Sequence, residues 1–101
     1  MKKLLLTGAT GFLGGAVLEK LLLADADFNY LLLVRATTPE QGLSRIRENL
    51  AKFYLSDQRL NKINIDHILL GDLAEPDSFI NDPRIDDVTQ VINCAGVASF
   101  G

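Results

Sequence analysis

The sequence has no tryptophan, and only one cysteine, one histidine and one methionine in 101 residues. The lone Cys94 excludes an intrachain disulfide, so the chain is not a disulfide-stapled scaffold, and a reducing, cytoplasmic setting is expected. One histidine, His67, beside one cysteine gives no metal-ligand set. His67 stands amid apolar residues and reads as structural or surface. There is no basic excess: 10 Lys and Arg against 13 Asp and Glu give a net charge of −3, which favours neither nucleic acid nor an anionic membrane. Long apolar runs are missing too. Residues 4–6 and 31–34 are far too short to span a bilayer, and the run at 4–6 is too short for the core of a secretory signal. What is present, 48% hydrophobic and 23% charged residues, is ordinary for one short folded domain.

The apolar residues alternate between two periods. Residues 3–7 form a run that does not alternate in polarity, as in a strand buried on both faces. A glycine-rich turn follows at 8–14. Leu13, Val17, Leu18, Leu21 and Leu22 then recur at helical spacing over 12–23. A loop at 24–28 leads to a second buried strand at 29–34. Thr38, Pro39 and Gln41 mark a helix start: a capping hydroxyl, a proline at the first helical position and an amide that reaches back to the cap. This helix is expected to run to about Leu55, with Leu43, Ile46, Leu50, Phe53 and Tyr54 inward. Strands are expected at 63–70 and 88–94, with a short helix at 76–80 between them. Strands joined by helical crossovers run parallel with right-handed connections, so the expected fold is α/β. It is a partial doubly wound parallel sheet, one half of a Rossmann fold, in the order 3-2-1-4 with flanking helices. A small α/β sandwich without a cofactor is the alternative.

The turn after the first strand is the most informative stretch. Gly8, Gly11 and Gly14 are spaced three and three, where the commonest dinucleotide fingerprint has two and three. Between a buried strand and a helix the physics is similar. Gly8 permits a tight turn, Gly11 a close approach to a pyrophosphate, and Gly14 close packing of helix on sheet. Helix-start amides at Phe12 and Leu13 face the phosphates with the helix dipole behind them, and Thr10 adds a hydroxyl donor. A glycine turn that binds nothing is the competing reading.

Residues 5–14, Leu-Leu-Thr-Gly-Ala-Thr-Gly-Phe-Leu-Gly, resemble the nucleotide-binding loop of extended short-chain dehydrogenases/reductases. More narrowly, the chain is similar to thioester reductase and fatty acyl-CoA reductase domains, the male-sterility-like group. Three further blocks carry that resemblance in matching order: Leu32-Leu33-Val34-Arg35-Ala36, Gly71-Asp72-Leu73, and Val91-Ile92-Asn93-Cys94-Ala95-Gly96-Val97. Together with the loop they cover nearly the whole chain.

An NAD-binding half usually ends its second strand on an acidic residue for the ribose hydroxyls. Here that position holds Arg35, whose planar fork of donors suits a 2′-phosphate instead. Asp25 and Asp27 precede the strand and are discounted. The resemblance implies that Arg45, on the next helix, also reaches that phosphate, so the expected cofactor is NADP. Arg47 falls on the other side of the helix and reads as surface. The resemblance places Asp72 at the adenine amino group, helped by the backbone of Leu73. After the fourth strand, Ala95, Gly96 and Val97 are small enough for the backbone to pass close to ribose and pyrophosphate. Cys94 reads as a small packing residue, since no base stands nearby to activate a thiolate.

The family's chemistry needs a Tyr-x-x-x-Lys pair, which moves a proton while the nicotinamide moves a hydride. Val34 follows Tyr30 by four residues and Gln58 follows Tyr54, so neither tyrosine qualifies; both read as packing residues with a wet hydroxyl. The chain is therefore expected to be the N-terminal, NADP-binding part of a larger reductase acting on acyl thioesters. No catalytic residue is expected within it. An unpaired sheet edge at the fourth strand is expected to favour association between copies. Two other functions remain open: part of an NAD-dependent nucleotide-sugar epimerase or dehydratase, against which Arg35 argues, and a non-catalytic NADPH-binding module.

Overall fold

The Leu4-Leu5-Leu6 triplet is buried on both sides of strand β1 (Lys2–Thr7). Leu4 and Leu6 lie in one apolar cluster and Leu5 in another on the opposite face. The computed structural model describes residues 2–24 and 28–94. After β1 come α1 (Phe12–Leu23), β2 (Phe28–Val34), α2 (Pro39–Ala51), a single turn α3 (Asp57–Leu60), β3 (Ile68–Leu70) and β4 (Gln90–Asn93). Short 3-10 turns stand at Ile65–His67, Pro76–Ser78 and Pro83–Asp87. The strands are parallel and ordered β3-β2-β1-β4, as the alternating periods require. Leu6 stands beside both Leu32 and Ile92, and Leu32 beside Ile68, so the C-terminal ends of all four strands line one edge of the sheet. Among the described residues no helix is long and apolar enough to cross a membrane.

The larger cluster fills the space between the sheet and α1 and α2. Leu6, Leu18, Leu32, Ile46, Leu50 and Ile63 are fully enclosed there. Each such side chain stabilises the fold by about 1.5–3 kcal/mol. The other face holds Leu31, Leu33, Leu69 and Phe79, with Ile85 and Val88 against them. Arg84 ties this side down. Its guanidinium donates to the carbonyls of Asp66 (2.9 Å) and Ile68 (3.1 Å) and pairs with Asp82 (2.8 Å). The hydrogen bond from Arg84 holds the Asp82 carboxyl down at about 2.

α1 has the expected bounds, but its buried face is Gly14, Gly15, Leu18 and Leu22, while Leu13 is 42% exposed. α2 opens as expected: Thr38 Oγ1 accepts from the Gln41 amide at 3.1 Å. The Gln41 side chain accepts from the amide of Thr37, one residue before the cap, at 2.7 Å. The helix stops at Ala51, short of the expected Leu55. The amides of Lys52, Phe53 and Tyr54 bond three residues back rather than four, which tightens the end, and Tyr54 enters the left-handed region at φ 58°. Tyr54 consequently points into solvent, 95% exposed, and is not the inward packing residue its position implied. Ser56 then caps α3, a turn that the apolar pattern does not signal, and Arg59 of α3 donates to the carbonyl of Leu22 at the end of α1 (2.7 Å).

β3 begins at Ile68, five residues later than the start expected for a strand over 63–70. Asn64 accepts from the Asp66 amide (2.9 Å) and His67 Nδ1 accepts from the Asn64 amide (3.1 Å). These local bonds close a capped 3-10 turn and outcompete strand pairing. The turn leaves His67 half-buried, edge-on to Tyr30 with ring centroids 6.1 Å apart. Tyr30 is buried in the core, as expected. The short helix expected at 76–80 is the 3-10 turn Pro76–Ser78, and β4 is four residues long.

Candidate functional site

A cleft of about 540 Å³ opens at the C-terminal ends of β1, β2 and β3. Ligands bind at this edge of open parallel sheets, where the strand order reverses on either side of β1. Gly8 leaves β1 with φ 79°, a conformation that costs a side-chain-bearing residue about 1–2 kcal/mol. The Gly11 amide donates to the Gly8 carbonyl at 2.9 Å and closes the turn. A Cβ on Gly14 would lie 1.9 Å from that same carbonyl oxygen. The close approach at Gly14 is therefore to the glycine turn itself, not to the sheet as the spacing implied. Gly11 caps α1 without a side chain, and no acid stands in the first turn. The amides of Phe12 and Leu13 thus have no intrahelical acceptor and carry the positive end of the helix dipole. Both residues line the cleft, with Gly8, Thr10, Gly11 and Gly14.

Arg35, Asp72 and Leu73 line the other end of the cleft, at the ends of β2 and β3. The Arg35 side chain is 75% exposed, with Nη1 3.9 Å from Asp72 Oδ2, a loose contact of the kind worth about 0–1 kcal/mol. Asp72 Oδ1 accepts from the Ala74 amide at 3.0 Å. Arg45 does not line the cleft: its guanidinium donates to the carbonyl of Arg35. Arg47, read as a surface charge, is half-buried and donates to the Ile63 carbonyl at 2.7 Å, which fastens α2 to the segment before β3.

The floor comes from β1 and β4. Thr7, 2% exposed, donates from Oγ1 to Asn93 Oδ1 (2.6 Å) and accepts from the Cys94 amide (3.2 Å). Cys94 lines the cleft as a small buried side chain. Ala95, Gly96 and Val97 lie outside the described residues, as do Asp25 and Asp27. Among the described residues no group of His, Cys, Asp or Glu could hold a metal.

Two residues of this site, Thr7 and Asn49, are absent from the sequence-based expectations. Asn49 of α2 is 7% exposed, and its Nδ2 donates to the carbonyls of Ala9 (2.8 Å) and Gly11 (3.0 Å). The signal was available: Asn49 is a polar residue on the inward stripe formed by Ile46, Leu50 and Phe53.

Bare amides at a helix start suit a diphosphate, the guanidinium suits a further anionic or planar group, and Asp72 offers an acceptor. The fold and this donor set define a Rossmann-like, dinucleotide-binding unit. Residues 6–100 match the NAD-binding family described as "Male sterility protein". The chain belongs to that family. It is 47% identical over 73 residues to a linear gramicidin synthase of Brevibacillus parabrevis, covering 71% of this chain and 1% of that protein. It is 31% identical over 115 residues to fatty acyl-CoA reductase 8 of Arabidopsis thaliana, covering 98% of this chain and 23% of that one. The crystal structure of the terminal R domain from the myxalamid PKS-NRPS biosynthetic pathway superposes with a TM-score of 0.74 at 30% identity, over 93% of this chain and 24% of that domain. The chain is thus an NAD(P)-binding unit similar to thioester reductase and fatty acyl-CoA reductase domains, and spans at most about a quarter of the length of these relatives.

Proposed function

We propose that the cleft binds NADP(H), and that the chain is the cofactor-holding part of a larger reductase acting on acyl thioesters. The observation that carries the choice of coenzyme is Arg35 at the end of β2, lining the cleft where an NAD-specific site has an acid. In this reading the amides of Phe12 and Leu13 hold the diphosphate, and Thr10 adds a donor beside them. Arg35 meets the 2′-phosphate. Arg45 buttresses the Arg35 backbone. Asp72 and Leu73 take the adenine.

Bound NADPH supplies a hydride, which with one proton converts a thioester to an aldehyde and a free thiol and leaves NADP⁺. This chain's residues bind and orient. Tyr30 is enclosed in the core and Tyr54 faces solvent, so the proton donor is assigned to another part of the protein. Among the described strands β4 lies at the edge of the sheet with Val91 61% exposed, and copies of the protein are expected to associate there. A concentration-independent monomer in light scattering would count against that association.

The coenzyme reading is tested by titrating the protein with NADPH and NADH. NADPH is expected to bind more tightly, and Arg35→Asp to weaken it by about 10–100-fold, the loss of a charge-assisted contact worth about 1.5–3 kcal/mol, with NADH little changed. Equal binding of the two coenzymes, untouched by Arg35→Asp, would refute the assignment.

A further inference from the structure

α2 touches both ends of the cleft. It starts against the end of β2, where a Cβ on Gly42 would lie 2.7 Å from Val34 Cγ1. Arg45 holds the Arg35 carbonyl, and Asn49, one turn on and therefore on the same face, holds the carbonyls of Ala9 and Gly11. Both protons of the Asn49 amide are used in that clamp. α1 is shaped to admit it: a Cβ on Gly15 would lie 2.4 Å from Asn49 Nδ2, so a larger residue there would push the amide off the turn.

A buried side chain donating two hydrogen bonds to one turn does more than fill space. Each peptide plane has its carbonyl and the following amide on opposite edges. Fixing the carbonyls of residues 9 and 11 therefore fixes the orientation of the amides of Thr10 and Phe12. We propose that Asn49 is a positioning residue for the coenzyme. It holds the glycine turn with its amides presented to the diphosphate. The proposal rests on the NADP(H) reading of the cleft and deepens it: Asn49 acts on the part common to NADPH and NADH, Arg35 on the part that differs.

The test compares the parent protein with Asn49→Leu, which keeps the size and removes both donors, and Asn49→Ala, which removes both. Amide hydrogen exchange of the ligand-free protein is read at residues 9–13 and at the core residues Leu6 and Leu32, alongside coenzyme titrations. In both variants exchange in the turn is expected to rise about 10-fold or more, as loss of two bonds of about 1 kcal/mol each implies, while the core stays protected. Affinity for NADPH and NADH is expected to fall by a similar 10–100-fold for both coenzymes, leaving their ratio unchanged. Should Asn49→Ala fail to fold, Asn49→Leu carries the test. Unchanged exchange in the turn, a loosened turn with unchanged affinity, or a change in the NADPH-to-NADH ratio would each overturn the proposal. If the parent binds neither coenzyme, the reading of the cleft fails, and the exchange data still decide whether Asn49 positions the turn.

Discussion

The two ends of the cleft are built on opposite principles. The glycine turn is made of backbone, closed by the Gly11–Gly8 bond, walled by a carbonyl that leaves no room at Gly14, and clamped by a buried amide. The Arg35 end is made of side chains, with an exposed guanidinium loosely facing a carboxylate. Rigid backbone donors recognise what all dinucleotides share. In the proposed reading an exposed charged side chain meets what only some of them carry, and substitution there leaves the fold undisturbed. In that reading affinity and selectivity thereby fall to different parts of the structure.

The largest expected effect comes at the rigid end. Gly14→Ala drives a methyl into the Gly8 carbonyl. It is expected to abolish binding of both coenzymes and to cost about 1–3 kcal/mol of stability or more, as overpacking against an unyielding neighbour does, read by calorimetry and titration together. Gly14→Ala binding NADH normally while losing NADPH would erase the contrast between the two ends.

A smaller effect separates stability from both ends. Half-burial holds the His67 imidazole below its ordinary value of 6.5, so the unfolded chain binds the proton more readily. The His67 contribution is full above about pH 6.5 and declines as pH falls below it, and protonation also removes the Nδ1 acceptor that closes the capped turn. Asp82 works in a lower window. Its depressed carboxyl contributes fully above about 3.8 and that contribution is lost as pH falls through about 2. Urea midpoints measured from pH 7.5 to 2 are expected to fall in these two stages. A midpoint flat between 7.5 and 5.5 would contradict the His67 part. Neither group lines the cleft, so the NADPH-to-NADH ratio is expected to hold through the first stage.

The smallest effect lies outside both ends. Tyr54→Gly removes a left-handed side-chain-bearing residue that buries almost nothing, and is expected to stabilise the fold by about 0.5–1 kcal/mol and raise Tm by a few degrees. A lower Tm would show that the exposed ring has a contact worth more than the strain.

The legible and illegible parts of the sequence divide along similar lines. Strand order, the glycine turn and the bounds of α1 follow from periodicity, because a buried leucine run and a helical stripe each admit one arrangement. Arg35, Asp72 and Leu73 reach the cleft because the ends of strands fix where their following residues go. Features decided by one or two side-chain hydrogen bonds do not follow from the apolar pattern. Asn64 and His67 turn an apparent strand into a 3-10 turn, Ser56 starts a helical turn between an expected helix and an expected strand, and Asn49 bonds to residues 38 and 40 positions away. Pattern alone ranks Asn49 as a flaw in an apolar stripe; only the fold brings the carbonyls it serves within reach.

The claim on which the rest depends is that the glycine turn receives the diphosphate. Amide ¹H–¹⁵N shifts of the protein recorded during an NADPH titration test it most directly. The account predicts saturating shifts largest at Gly11, Phe12 and Leu13, with a second set around Arg35. Shifts confined to other surfaces, or a turn unmoved at saturating coenzyme, would contradict it.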